Sequence, residues 1–232
     1  MNDNKELLKW YEENVPNNCP NSVDEVIKLI TSTLKFMPEI NKHSIYENSK
    51  IPDDLCNPFT YKFYIKNICN SIGIWGPCWK DFCKQLSLYF NNKKVLEVGC
   101  GNGLLSLGLE YYNTNIIPTS SKNRGYNTDA KLNNKIEYID AKDAINKYKS
   151  DINYILISWP PYEDPLLEDI FDLSIKYNKK LIYIGESEYG CTGSESFWSR
   201  IEKEGYYLNK IDGIYFDSFY SIYDDIYIFD NK

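Results

Sequence analysis

The stretch that most restricts this chain's fold is short. Val95-Leu96-Glu97-Val98 has the length and apolar character of a buried strand, it runs into Gly99-Cys100-Gly101-Asn102-Gly103, and an apolar helical pattern opens at Leu104. Glycines let the backbone turn sharply and approach a ligand closely. A helix N-terminus adds free N–H groups and positive potential. In open α/β sheets, ligands bind at the carboxyl ends of the strands. The junction therefore predicts an α/β sheet with a ligand site on it. A dinucleotide fingerprint, GxGxxG, would place its third glycine where Leu104 stands.

The chain beyond Lys93 keeps the same rhythm. Strand-length apolar runs fall at 94–98, 115–118, 135–139, 154–158 and 180–184, with further strands at 208–216 and 225–229. Helical patterns fill 103–112, 142–148, 166–177 and 195–204. The first five strands are nearly all apolar, as strands covered on both faces are in a parallel sheet. Alternating strands and helices imply right-handed crossovers. Only a short turn around 217–224 separates the last two strands, which predicts an antiparallel hairpin.

Residues 1–90 differ in character and are expected to form a helical segment, with 91–232 as the α/β domain. Helices are predicted over 7–14, 22–37, 59–71 and 77–90. In the second, Val23, Val26, Ile27, Ile30 and Leu34 share one stripe, Ser22 is a candidate cap with Glu25 three residues on, and Pro38 ends the helix. The polar, punctuated run 41–58 predicts a loop.

Composition narrows the function classes. A chain of 232 residues suits one domain, or one domain with an appended segment. No stretch approaches the roughly 18 to 20 apolar residues of a membrane helix. Met1 to Trp10 lacks a signal-peptide core, so a cytoplasmic protein without a membrane partner is expected. The net charge of −7, the pI near 4.9 and only two arginines, Arg124 and Arg200, argue against tight duplex nucleic-acid binding. His43 is the one histidine, which excludes HExxH, multi-histidine metal sites and any triad that does not use it. The seven cysteines form no CxxC pair and no zinc spacing. No protein metal is expected, and the thiols are expected reduced and mostly buried.

GxGxG after a Leu-Glu-Val strand, with the element order that follows, resembles motif I of the class I S-adenosylmethionine-dependent methyltransferases. The similarity covers about residues 93–230. It implies a Rossmann-like, mostly parallel seven-stranded sheet with a C-terminal antiparallel hairpin, and S-adenosylmethionine as cofactor. By this resemblance Gly99, Gly101 and Gly103 shape the floor under the methionine part, and Glu97 holds the loop or faces the cofactor's amino group. The family usually ends its second strand with a ribose-binding acid, and here Thr119 or Ser120 stands there. A hydroxyl can bond ribose, but without charge assistance it is weaker. At the end of the third strand, Asp140 would accept from the adenine amino group and the Ala141 N–H would support the ring. Capping the next helix is the structural alternative for Asp140.

The fourth strand ends Ser158-Trp159-Pro160-Pro161-Tyr162, which resembles the [DNS]-Pro-Pro-[YFW] motif of methyltransferases acting on amino groups. There, a polar side chain and a prolyl carbonyl accept the N–H bonds of the target nitrogen and aim its lone pair. Proline supplies a carbonyl without a competing N–H, and the following aromatic can stack on a planar substrate. Trp159 replaces the polar residue. Ser158 comes one position early and, by strand alternation, is expected to face away. Glu186 is a candidate proton acceptor or cation binder beyond the fifth strand, Cys191 is not a candidate nucleophile, and Trp75 is a candidate cofactor lid or a helix anchor.

The resulting expectation is a methyltransferase acting on an amine or planar nitrogen heterocycle, its substrate a small molecule, a protein or a nucleic acid. A catalytically degenerate binding or scaffold protein of the same fold is the alternative, suggested by the missing acid and the altered WPPY turn. A nicotinamide-dependent oxidoreductase is a third reading, opposed by the glycine spacing.

Overall fold

A computed structural model describes residues 4–36, 58–121, 131–188, 190–219 and 222–230. Met37, Pro38, His43 and residues 41–57 of the loop expected over 41–58 lie outside the described residues, as does Arg124, while Pro58 opens a helix rather than closing the loop. Among the described residues, four α-helices precede the sheet: α1 (Lys5–Asn14), α2 (Val23–Thr33), α3 (Pro58–Ser71) and α4 (Lys80–Phe90). The remainder runs β1 (Val95–Val98), α5 (Leu104–Tyr111), β2 (Ile116–Ser120), β3 (Glu137–Tyr138), α6 (Ala141–Tyr148), β4 (Tyr154–Ser158), α7 (Leu166–Lys176), β5 (Lys180–Glu186), α8 (Glu195–Glu204), β6 (Tyr207–Lys210) and β7 (Asp224–Asp230). Ser22 caps α2, its hydroxyl accepting from the Glu25 N–H at 3.3 Å.

The seven strands form one sheet in the order β3-β2-β1-β4-β5-β7-β6. The β3-β2, β2-β1, β1-β4 and β4-β5 contacts are parallel, whereas β7 pairs antiparallel with both β5 and β6. The apolar strands divide their side chains between two layers because successive residues point to opposite faces. Val95, Leu156, Ile182, Ile184, Ile226 and Ile228 join a core with the N-terminal helices and α5. Leu96, Val98, Ile155, Ile157, Leu181 and Tyr183 join a second core with α6, α7 and α8. Burial on both faces explains why these strands read as continuous apolar runs.

The C-terminal antiparallel pair is present as expected, β6 with β7, but the strand expected over 208–216 is cut short: β6 stops at Lys210, so the connection to Asp224 is longer than the turn expected around 217–224. Ile211, Ile214 and Phe219 of this connection are buried in the core shared with the N-terminal helices. Phe219 meets Trp79 edge-on at 5.8 Å and Phe216 meets Phe82 edge-on at 5.4 Å. Apolar burial against α4, rather than pairing with β7, takes up the strand-like pattern of this stretch.

Candidate functional site

The parallel strands end together above the glycine loop, and a cavity of about 800 Å³ opens there. Glu97, Gly99, Gly101, Ser120, Asp140, Ala141, Ser158, Trp159, Pro160, Pro161 and Tyr162 all line it. The topology thus brings the glycine loop, Ser120, Asp140 and the turn after β4 to one cavity. Gly103 does not line the cavity. Its φ is +82°, and an added Cβ would stand 2.7 Å from Asn133 Cβ and 2.8 Å from Ile136 Cδ1. Gly103 therefore serves close packing at the start of α5, not the cavity floor. Gly101, at φ +56°, has none of the described residues within 4 Å of an added Cβ.

Asn102 fixes the loop. Its Oδ1 accepts from the Leu104 N–H at 2.9 Å, and its Nδ2 donates to the Ile72 carbonyl at 2.9 Å. One side chain thus caps the first turn of α5 and ties the loop to the segment leading from α3. That Asx cap follows from asparagine's reach to the backbone two residues on.

Glu97 is 1 % exposed, an acid inside an otherwise apolar strand. Burial pushes its carboxyl up to about 8, opposed by a hydrogen bond with Ser106. Among the described residues its Oε2 has no hydrogen-bond partner. An unsatisfied buried oxygen is costly in a native fold.

Thr119 and Ser120 separate cleanly. Thr119 is fully buried and its hydroxyl donates to the Glu97 carbonyl at 2.8 Å. Ser120 is half-buried in the cavity wall. Asp140 precedes α6 in the N-cap position, yet its side chain makes no capping bond and lines the cavity. The capping alternative for Asp140 is therefore not realised.

The end of β4 departs from the sequence expectation. Trp159 has φ +53°, in the left-handed region where a bulky residue is strained. Its backbone N–H donates to the Ile184 carbonyl at 2.8 Å and its indole Nε1 donates to Asp224 Oδ2 at 2.8 Å. Regular alternation breaks at this residue, so Ser158 does not face away: Ser158 and Trp159 both line the cavity. Both also back onto Gly76, where an added Cβ would lie 2.7 Å from Trp159 Cδ1 and 3.0 Å from Ser158 Oγ.

Two buried acids stand behind this turn. Asp224 also accepts from the Ser218 hydroxyl. Burial raises its carboxyl above the usual range, and the Ser218 and Trp159 bonds oppose that rise. Sequence reading missed Asp224, since its bond to Trp159 joins positions 65 apart. Glu186, expected beyond the fifth strand, is the buried last residue of β5, and its oxygens accept from the Cys191 N–H at 2.6 Å and the Tyr223 N–H at 3.0 Å. It holds the loop after β5 in place and is committed to backbone. Trp75 is 41 % exposed on the cavity wall. Cys191 is exposed at the same cavity.

Among the described residues, no group of acids, cysteines and histidines could hold a metal ion, and no helix is long and apolar enough to cross a membrane. No protein-family model matches the chain, and no curated protein matches it. Solved structures similar in shape include the mitomycin 7-O-methyltransferase MmcR, at 13% identity and TM-score 0.42 over 100% of this chain and 76% of that one. Another is the precorrin-6y C5,15-methyltransferase from Geobacter metallireducens GS-15, at 14% identity and TM-score 0.38 over 63% of this chain and 85% of that one. A point mutant of MtNAS aligns at 9% identity and TM-score 0.42 over 97% of this chain and 85% of that one. Likeness at this distance says nothing about activity. The chain's own strand order, its four parallel contacts and its antiparallel β7 make this a Rossmann-like α/β fold of the class I methyltransferase type.

Proposed function

We propose that this protein is an S-adenosylmethionine-dependent methyltransferase that delivers the methyl group to a nitrogen of an amine or planar heterocycle. The observation that carries the proposal is the hydrogen-bonding character of the turn after β4, on the same cavity as the glycine loop. The Trp159 N–H is committed to Ile184 and its indole N–H to Asp224. Pro160 and Pro161 have no N–H. From Trp159 to Pro161 the backbone and indole N–H groups are thus either committed or absent, and Ser158, Pro160 and Pro161 line the cavity. Such a turn grips a group that donates N–H bonds and leaves that group's lone pair free to attack.

The rest of the cavity suits the cofactor. Among the described residues Glu97 carries a buried oxygen without a partner, a match for an ammonium group at the glycine loop. Asp140 and the start of α6 suit an adenine edge, and Ser120 replaces the usual acid at the ribose with an uncharged hydroxyl. Bound there, the cofactor supplies an electrophilic methyl on a sulfonium. In-line displacement asks the protein for proximity and an open lone pair more than for an acid or base. Within the described lining the cations are Lys66 and Lys131. That sparse charge favours a small acceptor over a nucleic-acid backbone. A cytoplasmic location fits this reading.

Titration calorimetry with S-adenosylmethionine, S-adenosylhomocysteine and NAD tests the proposal, followed by transfer of tritiated methyl to a panel of amines and nitrogen heterocycles. Binding of both adenosyl compounds but not NAD, then label in a nitrogen acceptor, is the expected result. A folded protein that binds neither adenosyl compound would overturn the enzyme reading in favour of a scaffold.

A further inference from the structure

We propose that Asp224 is a positioning residue: through the Trp159 indole it holds the turn after β4 in its left-handed conformation and so fixes the wall on which the methyl acceptor is seated. The inference rests on reading the cavity as a methyl-transfer site, and it assigns a function to a strand outside the motifs that suggested that site.

Trp159 needs such a hold. A bulky residue at φ +53° sits in a region that sterics disfavour for L-residues. Strain of this kind persists only where the surroundings over-determine the conformation. Three contacts do so here. The backbone N–H donates to the Ile184 carbonyl at 2.8 Å. Gly76 lies against the indole so closely that a methyl there would sit 2.7 Å from Cδ1. The indole N–H donates to Asp224 Oδ2 at 2.8 Å. Of these, the Asp224 bond is the hydrogen bond made by the indole ring itself.

Asp224 is itself held. It is 7% exposed, it accepts from the Ser218 hydroxyl, and it lies opposite Glu186 in the β5-β7 register. Glu186 in turn accepts from the Tyr223 N–H at 3.0 Å, and Ile222, two residues before Asp224, lines the cavity. The end of the long β6-β7 connection is thus bonded to the end of β5 and to Trp159. An ionised carboxylate makes a stronger acceptor than a neutral group for the indole N–H. Because the indole donor is committed to Asp224, Trp159 serves as a wall and not as a donor to substrate.

The test needs no identified acceptor. Sinefungin is an S-adenosylmethionine analogue with a primary amine where the transferred methyl stands, so its affinity relative to S-adenosylhomocysteine reports the acceptor groups of the turn. Both are titrated into the wild type, Asp224→Leu, Asp224→Asn and Trp159→Phe. The wild type is expected to prefer sinefungin. Asp224→Leu and Trp159→Phe should lose about tenfold of that preference while binding S-adenosylhomocysteine within twofold of wild type. Asp224→Asn keeps an acceptor oxygen and should keep most of the preference. The Trp159 indole N–H resonance, assigned as the cross-peak missing from Trp159→Phe, should exchange faster in Asp224→Leu and remain protected in Asp224→Asn.

If Asp224→Leu keeps both the preference and the protected indole, the positioning role is overturned and the cofactor reading stands. If the wild type binds neither compound, the cofactor reading fails and takes the inference with it. Should Asp224→Leu not fold, Trp159→Phe against Asp224→Asn decides: equal preference in the two overturns the role.

Discussion

At residue scale, the glycines of one loop do different things. Gly101 has φ +56° and, among the described residues, open space around a would-be Cβ, whereas Gly103 has φ +82° and would clash with Asn133 and Ile136. Gly101→Asp is therefore expected to leave a folded protein with S-adenosylhomocysteine affinity lowered more than about tenfold, since it puts bulk and negative charge where the ligand lies. Gly103→Ala is expected to cost about 2–4 kcal/mol of stability from backbone strain and overpacking. Paired calorimetry and thermal melts separate the two effects. Glu97 gives a pH prediction. Its carboxyl rises to about 8 when folded, chiefly through burial. The folded state then keeps a proton that the unfolded state releases near its ordinary value of roughly 4.3. The unfolded state binds fewer protons across that window, so this group's contribution is full below it. It fades as pH climbs through about 8, at up to about 1.4 kcal/mol per pH unit. Urea melts between those limits should show the slope in the wild type and lose it in Glu97→Gln. A flat wild-type profile would exclude the raised carboxyl. The glycine spacing and the lone acid of β1 were legible in sequence because each is a local pattern. The partners that divide Gly101 from Gly103, and the bond from Trp159 to Asp224, come from residues that only the fold brings together.

At element scale, helix and strand identity followed from period, but pairing did not. The interval 208–216 has the length and apolar content of a strand, and its first residues do form β6. The remainder is apolar because Ile211 and Ile214 are buried, and apolar content alone does not reveal whether the buried side meets a strand or a helix. Here it meets α4, through Phe216 on Phe82 and Phe219 on Trp79. The connection is thus part of the core, not a loop tip. Phe219→Ala should cost about 3–5 kcal/mol, the usual range for truncating a buried phenylalanine. A loss under about 1 kcal/mol in a denaturant melt would place the connection outside the cooperative unit. The same reasoning explains the turn after β4. Strand alternation predicts that Ser158 and Trp159 face apart, and it fails where Trp159 adopts a left-handed conformation. A positive φ at tryptophan leaves no mark in a sequence.

At the scale of the whole molecule, the change of character near residue 90 suggested an appended helical segment beside a self-sufficient α/β domain. The packing bears on what each part needs. Val95, Leu156, Ile182, Ile184, Ile226 and Ile228 belong to the same apolar cluster as Leu7, Trp10, Phe82 and Leu86 of the N-terminal helices. Asn4, next to α1, adds polar ties, its amide donating to Asn133 Oδ1 at 2.9 Å and to Glu110 Oε2 at 3.0 Å. The segment leading from α3 is fastened to the glycine loop through Asn102 and Ile72. Removing residues 1–90 would uncover one apolar face of the sheet, and contiguous exposed apolar surface of that kind drives association. A chain of 91–232 alone is expected to keep helical far-ultraviolet circular dichroism, to lose its near-ultraviolet signal, and to bind a hydrophobic dye, as states without fixed packing do. A cooperative melt with a native near-ultraviolet spectrum would instead show that the α/β part folds by itself. The helices would then be a separable addition, and the fastening of the glycine loop by Asn102 would have to act only in the full chain. Titrating S-adenosylhomocysteine into that folded fragment would measure this directly, since a loop held by Ile72 should lose affinity once its anchor is gone.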